Sequence, residues 1–126
     1  MRKETEAWLA SAESDAGAAR LLLANGFYAQ AVFFTHLWVE KTLKAGVIEH
    51  LNLGRPPVTH NLVSLIETIV PDPPEWLFDF LVRLSPESTG TRYTLSPENE
   101  VYTIELAESL LGSANEAIQW LQQQLT

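Results

Sequence analysis

From Phe27 to Leu51 the chain reads "FYAQAVFFTHLWVEKTLKAGVIEHL", a run with no proline and a single glycine. Phe27, Ala31, Phe34, Trp38 and Ala45 fall on one side at helical spacing, and Val32, Val39, Leu43 and Val47 continue around it. The spacing predicts a helix over 27–51 whose apolar arc exceeds half its circumference, wider than a surface helix needs. Such a helix has to stand at the centre of a helical bundle, or also meet a second copy of the chain.

The flanking sequence supplies the rest of the bundle. Trp8, Ala12, Ala16, Ala19, Leu22 and Leu23 predict a helix over 4–24, stopped by "NG" at 25 and 26. After the loop "NLGRPPVT", whose prolines forbid helix, a short helix is expected at about 60–70, capped by Thr59 and burying Leu62, Leu65, Ile66 and Ile69. "PDPP" separates it from a helix over about 74–84 that buries Trp76, Leu77, Phe80, Leu81 and Leu84. Residues 85–102, "SPESTGTRYTLSPENEVY", form a long Ser/Thr/Pro/Glu-rich loop. Thr103 then caps a last helix carrying Leu106, Leu110, Ala114, Ala117, Leu121 and Leu125. The expected fold is all-α, an antiparallel up-and-down bundle of four main helices plus one short helix, with residues 1–126 forming one domain.

Composition narrows the function. The 126 residues contain no cysteine, so disulfides, thiol nucleophiles and Cys-ligated zinc are excluded. Charges in "MRKETEAWLASAESDAG" occupy the place where a signal peptide needs an apolar run, and no stretch has the length of a membrane span, so a cytoplasmic protein without membrane contact is expected. With a net charge of −8 and only eight Lys plus Arg, any nucleic-acid contact is local rather than along a duplex. Three histidines with no closely spaced carboxylate cluster give no metal site, and neither a Gly-rich phosphate loop nor G-x-S-x-G occurs. No cofactor is expected.

Some polar residues are not required by a bundle. His36, Glu40 and Lys44 follow one another at four-residue intervals on the sector left by the apolar arc, beside Phe33, Leu37 and Lys41. They read either as a solvated Glu40–Lys44 pair with His36 as a bystander, or as a dimer or ligand surface on which Phe33 and Leu37 stand exposed. Asp15 projects from the apolar face of the first helix and needs a partner there, Lys41 or an arginine from the long loop. In "GRPPVTH", Arg55 and His60 read either as a loop and a helix cap or as a pair for phosphodiester chemistry. In the second case His60 is the general acid or base, and Arg55 or Arg92 holds the phosphate. Tyr93 is a candidate to stack on a base or to hydrogen-bond a phosphate, and Lys41 and Lys44 complete the set of candidate phosphate ligands.

The order "FYAQAVFF…EKTLKAGVI…PPVTHNLVSLI…TRYTL…VYT" resembles the HEPN domains, small prokaryotic helical bundles, over nearly the whole chain. The matching positions include Trp8, Asp15, Tyr28, Glu40, Lys41, Lys44, Thr59, His60, Arg92 and Tyr93. The resemblance implies a homodimer, a nucleotidyltransferase as protein partner in a toxin–antitoxin-like or defence system, and binding of RNA or nucleotides. Some HEPN proteins are metal-independent RNases with an R-x(4–6)-H motif, which here lands only on Arg55 and His60. The alternatives are therefore a phosphate-binding subunit, an RNase toxin that leaves a 2′,3′-cyclic phosphate, and a non-catalytic dimeric bundle that recognises another protein. Pro56 and Pro57 follow Arg55 where the nuclease members have a polar residue, and they hold Arg55 in a loop.

Overall fold

The computed structural model describes residues 1–85 and 102–125. These form five helices: α1 (Lys3–Ala24), α2 (Tyr28–Leu51), α3 (Leu62–Ile69), α4 (Glu75–Leu84) and α5 (Ile104–Leu125). No strand occurs among the described residues. The fold is all-α as expected, with three helices of more than twenty residues and two short ones.

Local chemistry sets the ends. At the close of α1 the amide of Phe27 donates to Leu22 O at 2.9 Å and that of Gly26 to Leu23 O at 3.2 Å, with Gly26 at φ 83°. This is the paired 6→1 and 5→2 pattern that needs a left-handed residue, which glycine adopts without a Cβ penalty. Asn52, at φ 57°, makes the same kind of exit from α2. The cap of α3 is Asn61 and not Thr59: Asn61 Oδ1 accepts the amide of Ser64 at 3.0 Å, while Thr59 Oγ1 accepts the amide of Asn61 at 3.1 Å and braces the approach. Thr103 caps α5 as predicted, accepting the amide of Leu106 at 3.1 Å.

The centre of the fold is α2. Fourteen of its residues are buried, and it packs against α1, α5 and α3. Ala12, Ala16 and Ala19 line the inner face of α1 and let its antiparallel partner approach closely. Gly46 serves the same purpose toward α3 and α5, since a Cβ there would lie 2.6 Å from Ile69 Cδ1 and 3.6 Å from Leu125 Cδ2. Around α2, Leu43, Val47, Leu62, Leu65, Leu77, Leu81 and Leu110 make a continuous core. Each such side chain removed from water contributes about 1.5–3 kcal/mol before entropy is subtracted.

The apolar arc of α2 is therefore largely covered by the chain's own helices; Phe27, expected on it, precedes the helix and is 52% exposed. Phe33 and Leu37, expected to stand exposed, are partly buried. The larger correction concerns the polar sector. His36, Glu40 and Lys44 are buried, because helical period marks a sector as polar without telling whether water or protein covers it. Trp76 and Leu106, expected in the core, are exposed by 45% and 36%. Trp76 stands in the first turn of α4, where Leu77 takes the inward position instead.

Candidate phosphate-binding site

The polar seam starts with Glu40. The Glu40 side chain is only 6% exposed, so its ionised form requires partners. Lys44 Nζ, one turn along α2, lies 3.0 Å from Glu40 Oε2, and His60 Nδ1, from the loop before α3, lies 3.0 Å from the same oxygen. An ionised carboxylate only accepts, so His60 carries its proton on Nδ1 and leaves Nε2 as the free ring nitrogen. The His60 side chain is otherwise 69% exposed. His60 caps nothing; its polar anchor is the buried carboxylate twenty residues earlier.

His36 completes the cluster from inside. Its Nδ1 is 3.6 Å from Glu40 Oε1, too long for a hydrogen bond, and neither ring nitrogen has a hydrogen-bond partner. Burial pushes the imidazole pKa down to about 4; the negative charge of Glu40 opposes this, and the positive charges of His60 and Lys44 add to it. His36 is thus neutral at physiological pH.

A second cluster continues the seam along α1 and α2. Lys41 Nζ lies 2.8 Å from Asp15 Oδ2 and donates to Ser11 Oγ at 2.8 Å, so Asp15 has the first of its two expected partners. The approach to Asp15 is too oblique to count as a hydrogen bond, and the contact is an ion pair by distance. Lys44 Nζ also stands 5.8 Å from the centre of the Trp8 ring. Ala7, Trp8, Ser11 and Lys41 line an open depression of about 270 Å³.

Arg55 is exposed in the same loop as His60 and has no hydrogen bond or ion pair among the described residues. Lys41 and Lys44, by contrast, compensate Asp15 and Glu40. Arg92 and Tyr93 lie outside the described residues. Among the described residues no group of three or more His, Asp or Glu side chains is arranged to hold a metal ion, and no helix is long and apolar enough to cross a membrane. The link the sequence reading missed is Glu40 to His60. The available signal was a glutamate flanked at i−4 by His36 and at i+4 by Lys44, a pattern that makes equal sense around a buried carboxylate.

The fold and site define a small helical bundle with a carboxylate-anchored histidine and a free arginine on one interhelical loop. Comparison with known proteins places it. The HEPN domain family matches residues 5–124, and the chain belongs to that family. The crystal structure of an archaeal HEPN homologue is similar, with a TM-score of 0.79 at 23% identity, covering 99% of this chain and all of that one. TT1696 from Thermus thermophilus is also similar, with a TM-score of 0.80 at 26% identity, over 98% of this chain and all of that one. Among curated proteins no sequence match is found.

Proposed function

We propose that this HEPN protein binds a phosphate group of RNA or a nucleotide at the loop that carries Arg55 and His60. One observation carries the reading: His60 is held by Nδ1 on the buried Glu40 carboxylate, which leaves Nε2 free in the same loop as an unpaired arginine. Arg55 supplies a bidentate guanidinium donor to the phosphate oxygens, and His60 presents Nε2 as an acceptor for a neighbouring ligand hydroxyl such as the ribose 2′-OH. Lys41 and Lys44 act from behind, keeping Asp15 and Glu40 from repelling the anion. Arg92 and Tyr93 are proposed as additional ligand contacts. The family resemblance supports a homodimer and a nucleotidyltransferase partner in a toxin–antitoxin-like or defence system. The arc of α2 no longer argues for the homodimer, since it is largely covered within one chain.

The same anchoring of His60 favours a second reading, cleavage of single-stranded RNA without a metal. A carboxylate on Nδ1 fixes the tautomer and leaves Nε2 as the acceptor, the arrangement a general base for a 2′-OH requires. The test is binding of short single-stranded RNA by fluorescence anisotropy, with cleavage followed in EDTA. Arg55→Ala and His60→Ala should each weaken binding while α-helix content stays unchanged; binding by both variants equal to wild type would overturn the assignment. Cleavage in EDTA that disappears in His60→Ala would make the protein an RNase.

A further inference from the structure

Trp8 is an unassigned feature adjoining this seam. It is partly buried on α1, with exposed Ala7 beside it and Ser11 one turn on, so small side chains leave the indole bordering the depression of about 270 Å³. The Lys44 ammonium stands 5.8 Å from the ring centre, at the outer edge of cation–π range, and is itself paired with Glu40 at 3.0 Å. Since His60 Nδ1 is 3.0 Å from the same Glu40 oxygen, these three contacts in series keep the indole centre within about 12 Å of His60 Nδ1. Stacked nucleotides advance by about 3.4 Å along a strand and splayed ones by more, so that reach covers the next one or few nucleotides.

We propose that Trp8 is a base-stacking subsite, so that the ligand is a single-stranded oligoribonucleotide whose phosphate sits at Arg55 and His60 while a base one or two nucleotides away stacks on the indole. The inference rests on the phosphate-binding reading above. An indole already partly buried loses less freedom when a base stacks on it than an exposed one would, and every base offers a π face, so the subsite adds affinity without demanding a sequence. Ala7 and Ser11 give the base room, and the quarter-exposed Lys41 borders the same depression. Binding through one stacked base and one phosphate also suits a chain with a net charge of −8, which has no basic stripe to follow a longer strand.

The experiment compares two fluorescent six-nucleotide probes by anisotropy with the full chain in EDTA: 2′-O-methyl oligoadenylate, which cannot be cleaved through its 2′ oxygen, and an abasic strand with the same number of phosphates. Wild type should bind the adenylate about tenfold more tightly than the abasic strand, the effect of one stacked base. Trp8→Leu should remove that advantage and leave abasic binding unchanged, and Trp8→Phe should retain most of it. Ala7→Leu, at an exposed position that does not enter the core, should fill the depression and weaken adenylate binding in the same way. Equal affinity of wild type for the two probes, or adenylate binding by both Trp8→Leu and Ala7→Leu within about twofold of wild type, would overturn the stacking subsite while leaving the phosphate site standing. Binding of neither probe by wild type would overturn both.

Discussion

His36 offers the sharpest test of the buried cluster. It sits neutral beside Glu40 with both ring nitrogens unpartnered, its pKa pushed from 6.5 to about 4 by burial. The unfolded chain takes up a proton first as pH falls, so stability present in full above pH 6.5 is progressively lost toward pH 4. Below that the loss levels off at roughly 3 kcal/mol, at about 1.4 kcal/mol per tenfold change in proton affinity. By pH 5 about 2 kcal/mol should already be gone relative to pH 7.5. His36→Leu keeps a similar volume and removes the titration. Urea unfolding followed by circular dichroism at both pH values should show wild type losing about 2 kcal/mol more than the variant. At pH 7.5 the variant should be no less stable, because it removes two unsatisfied polar atoms from the interior. Parallel losses in the two proteins would mean that His36 finds a proton partner in the folded state, and the account of the cluster would fail.

Asp15→Ala leaves Lys41 without its charge partner at the α1–α2 contact and should cost about 1–3 kcal/mol in chemical denaturation; an unchanged midpoint would refute the pairing. Asn61→Ala should cost about 1 kcal/mol by removing the α3 cap, whereas His60→Ala should leave α3 capping intact, a contrast readable in melting curves. Gly46→Ala and Ile69→Val should be coupled: the added Cβ meets Ile69 Cδ1 at 2.6 Å, and valine lacks that atom. The double variant should therefore exceed the sum of the singles by about 0.5–1 kcal/mol in a double-mutant cycle, and additivity would refute the close approach.

The helices were legible because their ends are chemical. Gly26, Asn52, the prolines and Thr103 interrupt or cap the chain by local geometry that needs no knowledge of the rest. Asp15 was equally legible, since a carboxylate on an apolar face calls for a cation and Lys41 answered. The site was only half legible. Arg55 and His60 announced themselves by type and spacing, but what holds His60 is a carboxylate twenty residues away, brought near only when α3 folds back on α2. Tertiary packing also buried His36, Glu40 and Lys44, which the sequence left open as a solvated pair or as a dimer or ligand surface. Trp76 shows the converse limit: aromatic character suggested the core, and a shift of one position along α4 decided otherwise.

Arg2 reaches across to the far end of α2. Its side chain donates to the carbonyls of Ile48 and Leu53, its amide donates to Glu49 at 3.1 Å, and Thr5 donates to the same carboxylate at 2.8 Å. Those bonds hold the Glu49 pKa below its ordinary value and clamp the entrance of the loop that carries Arg55 and His60. The loop's foundation is thus laid by the second residue of the chain. Loss of the Arg2 side chain would disturb the loop of Arg55 and His60 while leaving every residue of that loop in place.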